Sequence, residues 1–272
     1  MSSKLKTPRV VVIGAEKGGA GKSTIAIHVA AGLLHRGAKV AVMDLDLRQQ
    51  SLGHFFASRE AWTAASNVTL PNPDIIDLGD TDELAKAGSD EARSRFEAAL
   101  ASAEGADFVL IDTPGADTPL SRAAHALADL IVTPMNDSFV DFDMLGTVDP
   151  VTLELKKPSL YSETVWESRK QRMIADRSSI DWVVLRNRLA PSEARNRRRV
   201  DERVQALSRR VGFRMGPGLR DRVIYRELFP FGLTVADLSS SVRPVEVSLS
   251  HVAARQEMRS LMSFLGLSQD DS

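Results

Sequence analysis

The sequence predicts an α/β fold, a predominantly parallel sheet with helices on both faces. Short apolar runs rich in β-branched residues alternate with helical patterns along the 272 residues, as crossover units require. The first run, Val10-Val11-Val12-Ile13, passes through a glycine-rich stretch straight into a helical pattern. Asp44, Asp46 and Asp112 stand at or just past the ends of two later runs, at the sheet edge where such folds bind ligands.

In order, the first unit is a strand over 9–14, a loop, and a helix over 22–36 with Gly37 placed to cap it. A second strand spans Lys39 to Leu45, and 51–66 reads as helix. The Pro- and Asp-rich stretch 67–82 reads as loop, followed by helix from Glu83 to Ala103. A third strand covers Asp107 to Asp112, and a fourth covers Asp129 to Thr133 and stops at Pro134. Helix is expected near 142–155, whereas the polar segment Lys156 to Asp181 has no clear period. A fifth strand, Trp182 to Leu185, leads to an arginine-rich helix at 193–210. A short strand at 213–216 and helices at 221–228 and 245–265 complete the pattern. No repeat, low-complexity tract or linker interrupts it, so a single domain over 1–272 is expected.

Composition bounds the partners. With 43% apolar and 26% charged residues the chain is an ordinary globular sequence, large enough to need no covalent staple. It has no cysteine, which excludes disulfides, thiolate metal sites and iron–sulfur clusters. No apolar run approaches the roughly 20 residues of a membrane span, and the basic N-terminus precedes only a short strand. A cytoplasmic location with no membrane contact is the expectation. The five histidines share no metal-ligand spacing.

The stretch Glu16-Lys17-Gly18-Gly19-Ala20-Gly21-Lys22-Ser23-Thr24 carries the strongest chemistry. Glycines let backbone N–H groups close around an anion, and a helix N-terminus adds positive potential. Gly18, Gly19, Ala20, Gly21, Lys22, Ser23 and Thr24 are thus the expected phosphate contacts, with Lys22 on the β- and γ-phosphates and Ser23 on Mg²⁺. The common phosphate-loop pattern places its first glycine where Glu16 stands, and an additional lysine, Lys17, precedes the double glycine. Asp112, closing Val109-Leu110-Ile111, is suited to hold Mg²⁺ through water, and Gly115 to bring a backbone N–H near the γ-phosphate.

The form K-G-G-x-G-K-[ST] resembles the deviant Walker A loop of the ParA/MinD ATPases, which are P-loop NTPases. The resemblance implies a Mg²⁺-dependent ATPase in which Lys17 reaches the nucleotide of a second subunit. It further implies that Asp46 orients the attacking water and Asp44 supports the metal. Asn187 matches the position that reads the adenine edge, and Pro217 the loop packed on the base. Met135-Asn136-Asp137-Ser138-Phe139-Val140-Asp141, Val183-Val184-Leu185-Arg186-Asn187-Arg188 and Gly216-Pro217-Gly218-Leu219-Arg220 resemble the MipZ family of division-site regulators within that group. This implies an ATP-bound homodimer on nucleoid DNA that blocks FtsZ assembly, with ParB recruiting the monomer. A ParA-type partitioning ATPase and a MinD-like membrane ATPase are the alternatives.

The arginine-rich helix is the second informative stretch. From Arg186 to Arg226 thirteen arginines stand against four acids, a net +9, so the rest of a chain of net −1 carries −10. On an ideal helix Val200, Val204, Leu207 and Val211 form one stripe, with Arg195, Arg198 and Arg209 opposite and Arg199, Arg203 and Arg210 flanking. Arginine binds phosphate bidentately, so Arg195, Arg198, Arg199 and Arg203 are expected to grip DNA without reading bases. The C-terminal stripe Met258, Leu261, Met262 and Leu265 is expected to dock on the core.

Overall fold

The computed structural model describes residues 7–136, 141, 143–149, 152, 155–189, 202, 204–239, 241, 242, 244 and 248–267. Seven strands form one all-parallel sheet: β1 (Arg9–Ile13), β2 (Val40–Asp44), β3 (Asp74–Ile75), β4 (Phe108–Asp112), β5 (Leu130–Asn136), β8 (Asp181–Asn187) and β9 (Arg214–Met215), in the order β3-β2-β4-β1-β5-β8-β9. β6 (Gly146–Val148) and β7 (Leu155–Pro158) make a separate antiparallel pair. The helices are α1 (Lys22–Leu34), α2 (Ser51–Ser66), α3 (Thr81–Lys86), α4 (Ser89–Ala101), α5 (Pro119–Leu127), α6 (Leu160–Asp176), α7 (Val223–Leu228) and α8 (Leu249–Phe264).

The sheet is buried on both sides, and the period of two along its strands divides the core. Val11, Ile13, Val40, Val42, Leu110, Leu130 and Val132 join one apolar cluster with α1, α2 and α8. Val10, Val12, Ala41, Met43, Val109, Ile111 and Ile131 join the other with α4, α5 and Tyr161 and Val165 of α6. Met258, Leu261, Met262 and Leu265 lie in the first cluster, as the docked-helix reading expects. Being central, β1 delivers its following loop to the middle of the carboxyl edge.

Several elements differ from the sequence expectations. The stretch 67–82 holds β3, a two-residue edge strand on β2 that Pro71 and Pro73 obscure. Expected helix 83–103 is two helices broken before Ser89, where extended Gly88 caps α4. The fourth strand continues through Pro134 to Asn136. Gly14 N–H donates to the Val132 carbonyl, and pairing with β1 ends at Val132. Pro134, two residues on, therefore faces a side where no ladder bond is required of it. Of the helix expected near 142–155, residues 142, 150, 151, 153 and 154 lie outside the described residues, while Gly146–Val148 form β6, paired with β7, because Gly146 and β-branched Thr147 and Val148 oppose helix. The unplaced Lys156 to Asp181 contains α6, whose Ser159 accepts the Ser162 N–H. α5 was not expected at all. It starts with Thr118 and Ser121 bonding each other's backbone N–H and Pro119 in the first turn, a reciprocal cap.

A buried ion pair ties the helical layers to the C-terminal region. Arg59 of α2 is 0% exposed and bonds both oxygens of Asp237, at 2.8 and 2.6 Å, with further bonds to the Gly232 and Pro71 carbonyls. His35, just past α1, reaches Asp237 at 2.5 Å. Burial alone would raise the Asp237 carboxyl, but the hydrogen bonds from Arg59 and His35 hold it well below the usual carboxylate range. Its stabilising contribution is therefore present above about pH 4 and lost as pH falls below that value. We expect Asp237→Asn to cost roughly 3 kcal/mol at pH 7, because Arg59 is left buried and unpaired. In urea titrations the deficit should shrink toward pH 3; a pH-independent deficit would contradict this account.

Candidate functional site

The site begins with the turn from β1 into α1. Gly21 caps α1 at φ 94, with no side chain bonded to the first-turn N–H groups and no acid in that turn. Those donors are thus directed at an external acceptor. A Cβ on Gly21 would lie 2.2 Å from Asn187 Nδ2, and one on Gly115 would lie 2.8 Å from the Gly18 nitrogen. Both glycines are required by close approach: Gly21 to the end of β8, Gly115 between the loop after β4 and the phosphate loop. Space beside Gly18 and Gly19 is open, as a cradle needs.

The two loop lysines occupy different environments. Lys22 is 7% exposed and donates from Nζ to the Lys17 carbonyl at 2.9 Å. Burial lowers its pKa, while Asp112 and Asp46 oppose that shift. The Lys17 side chain is 44% exposed and pairs with Asp141, which is 1% exposed and also accepts the Asn136 N–H at 3.0 Å. Asp141 was not singled out by its own chemistry in the sequence; it lies 124 residues from its partner, beyond the reach of any local pattern.

Asp112 closes β4 beside β1 and opposite Asp44 of β2. It is buried, and its Oδ1 has no hydrogen-bond partner among the described residues. Burial pushes this carboxyl up to about 7; the Ser23 hydroxyl that bonds it pulls down, Asp44 pushes up, and Lys22 pulls down. An orphaned acceptor beside a serine hydroxyl fits a hydrated divalent cation, which prefers oxygen ligands and keeps much of its water. Among the described residues no group of three or more His, Cys, Asp or Glu could hold a metal alone, so Mg²⁺ at Ser23 and Asp112 would need phosphate oxygens as well. Asp44 accepts the Asp46 and Leu52 N–H groups, both at 2.9 Å. It shapes the turn into α2 and thereby sets Asp46, which accepts the Gln49 N–H at 3.2 Å.

Asn187 donates from Nδ2 to the Ala20 carbonyl at 2.8 Å, and its Oδ1 accepts the Arg188 N–H. With Gly21, Thr24, Arg222, Tyr225 and Phe229 it lines a cavity of about 340 Å³, of a size to take a nucleobase and sugar. Pro217 follows β9 half-buried, outside that lining. Arg195, Arg198, Arg199 and Arg203 lie outside the described residues, whereas Val204, Leu207 and Val211 of the same expected stripe are buried.

Behind the loop runs a buried polar chain. Trp182 Nε1 donates to Thr133 Oγ1 at 3.0 Å, Thr133 meets the Tyr161 hydroxyl at 2.9 Å, and Tyr161 donates to the Gly14 carbonyl at 2.8 Å. His125 stands 3.2 Å from the same hydroxyl. Sequence spacing gave no sign of this chain, which joins two strands, the residue following β1 and two helices.

Comparison with known proteins adds to the geometry. A family model described as ATPase MipZ matches residues 9–269. The chromosome-partitioning ATPase Soj of Thermus thermophilus is 28% identical over 155 residues, covering 53% of this chain and 62% of Soj. An iron–sulfur cluster carrier protein of Deinococcus radiodurans is 39% identical over 64 residues, 24% of this chain and 18% of that protein. The chain thus spans less than two-thirds of these curated relatives. Apo McdA of Cyanothece superposes with TM-score 0.63 at 20% identity, over 95% of this chain and 99% of McdA. MinD of Pyrococcus horikoshii with Mg-ADP superposes with TM-score 0.59 at 17% identity, over 96% and 97%. At such identities the likeness establishes the fold, that of the ParA/MinD-type P-loop NTPases.

The raised Asp112 carboxyl has a stability consequence. Its charged form costs the fold most above pH 7, progressively less from 7 toward 4, and nothing below the unfolded value near 4. Without nucleotide or Mg²⁺, Asp112→Asn should stabilise the protein by on the order of 2 kcal/mol at pH 8 and by much less at pH 5. Equal unfolding midpoint changes at the two pH values would refute this.

Proposed function

The chain belongs to the MipZ ATPase family, and on that premise we propose that it is an ATP-driven dimerisation switch that binds DNA and positions cell division. The observation supporting this most directly is the unequal placement of the loop lysines. Lys22 is turned into its own loop, whereas Lys17 is half-exposed at the loop mouth. ATP drives dimerisation only if it binds the dimer more tightly than the monomer. Lys17 supplies such a differential contact by leaving Asp141 for the nucleotide of a second copy.

In this reading Lys22 and the N–H groups of residues 18–24 bind the phosphates of ATP, with Gly115 near the γ-phosphate. Ser23 and Asp112, supported by Asp44, hold Mg²⁺, whose charge neutralises the phosphate oxygens. Asp46 orients the water that attacks the γ-phosphate, and ADP and phosphate leave. Phosphoryl transfer asks for this positioning and charge balance more than for covalent help. Asn187 holds the base in the cavity it lines, and Pro217 supports that region from outside the lining. Arg195, Arg198, Arg199 and Arg203, doubled in the dimer, bind nucleoid DNA non-specifically. By family likeness the dimer blocks FtsZ assembly and the monomer is recruited by ParB. The likeness to Soj favours a second reading, a partitioning ATPase with the same ATP and DNA chemistry. A direct FtsZ assembly assay separates the two.

Asp46→Ala should lower turnover at least about 100-fold and leave an ATP-bound dimer in sedimentation velocity; Lys17→Ala should stay monomeric with ATP. The same mass for wild type with ATP and with ADP would end the switch reading. Charge reversal at Arg198 and Arg199, four positions in the dimer, should reduce the salt slope of DNA binding by about 4 with turnover unchanged. Loss of turnover in parallel would instead mean a structural role.

A further inference from the structure

A second cavity lies along α1, away from the phosphate loop. Helical spacing puts His28, Gly32, His35 and Arg36 on one side of the α1 segment and Arg255, Met258, Arg259 and Met262 on one side of α8. The two helices approach closely because a Cβ at Gly32 would lie 2.3 Å from Met262 Sδ. Between them opens a cavity of about 260 Å³ with an apolar floor that includes Val235, Met258 and Met262.

Its charge is one-sided. Arg36, Arg255 and Arg259 line it together with His28 and His35, and among the described residues no carboxylate side chain does. The nearby acid, Asp237, is buried and already accepts from Arg59, His35 and Thr234. Two of the guanidiniums are fixed in place: Arg36 donates to the Leu267 carbonyl at 3.1 Å and Arg255 to the Ala236 carbonyl at 2.9 Å. Each has five N–H donors, so most remain for another acceptor. His28 adds an independent sign. Its Nδ1 stands 2.8 Å from the Thr24 carbonyl and so carries the proton, which leaves Nε2 as an acceptor, buried and without a partner among the described residues. A chain of net charge −1 has thus gathered three arginines around a cavity that, among the described residues, no acid lines.

We propose that this cavity between α1 and α8 is a second oxyanion site, separate from the nucleotide site, that takes a phosphate-type dianion. The guanidinium fork matches phosphate oxygens bidentately, and a dianion balances three cations better than a single carboxylate does. A protonated phosphate oxygen would also give His28 Nε2 the donor it lacks. The phosphate arrives as a free anion or as the terminal phosphate of a small molecule, because a DNA backbone phosphodiester carries a single charge and no O–H for His28.

The test uses the full chain saturated with Mg-AMP-PNP, so that the nucleotide site is filled, with its histidines ¹³C-labelled. Inorganic phosphate is titrated while the imidazole resonances of His28 and His35 are followed by NMR. We expect saturable shifts of both. Affinity should fall at least about tenfold in Arg36→Gln/Arg255→Gln/Arg259→Gln and by a smaller factor in exposed Arg259→Gln, as for hydrogen bonds to charged groups, with AMP-PNP affinity unchanged. A short DNA duplex forms the second arm. If it shifts His35 and competes with phosphate, the cavity takes backbone phosphodiesters and the dianion proposal fails; if only phosphate acts, the ligand is a free anion. Absence of saturable shifts in both arms, or equal phosphate affinity in wild type and Arg259→Gln, would overturn the proposal.

Discussion

A carboxylate oxygen buried without a donor is the constraint around which the carboxyl edge of this sheet is arranged. Asp112 closes β4 in register with β1 and β2, its Oδ1 without a protein partner. Beside it the first turn of α1 presents N–H groups that no side chain caps. A lone negative oxygen and a set of unpaired donors, side by side, are each costly to bury. A metal-chelated polyphosphate would satisfy both at once. Such a ligand would complete the electrostatics of the fold as well as occupy a cleft in it, and its binding would contribute to stability by linkage.

The surrounding chain serves that arrangement. Asp44 spends both oxygens on backbone N–H groups and so fixes the turn that carries Asp46. Asn187 reaches from β8 to the Ala20 carbonyl, joining the base-side cavity to the phosphate loop. Asp141, beyond β5 and accepting the N–H of its last residue, holds Lys17. Residues from β2, β4 and β8 and from beyond β5 thus converge on one loop, which is possible because every strand of the sheet runs the same way and ends at the same edge.

Much of this was legible in the sequence, for identifiable reasons. The phosphate loop, the strand-end aspartates and the alternation of elements are local patterns, and local patterns survive without tertiary information. α5 was also legible in principle, since Thr118-Pro119 with Ser121 is a strong start signal that simply went unused. Pro134 misled because its cost depends on which neighbour a strand faces, a property of sheet order. Short β3 and the β6–β7 pair carry too few residues for a period to show. The Asp141–Lys17 pair and the Trp182–Thr133–Tyr161–Gly14 chain join positions distant in sequence, and only the folded topology reveals them. The apolar stripe of the arginine-rich helix was read correctly at Val204, Leu207 and Val211.

That polar chain also limits how the phosphate loop can move. Tyr161 fixes the carbonyl of Gly14 from one side, and Gly14 N–H is tied to Val132 on the other. Shifting this residue would strand buried donors in an apolar setting, so rearrangement of the loop is confined to the seven positions from Ala15 to Gly21. The upstream end acts as a fixed anchor, and the glycines beyond it as the only compliant links between two rigid bodies, the central strand and the helix that follows.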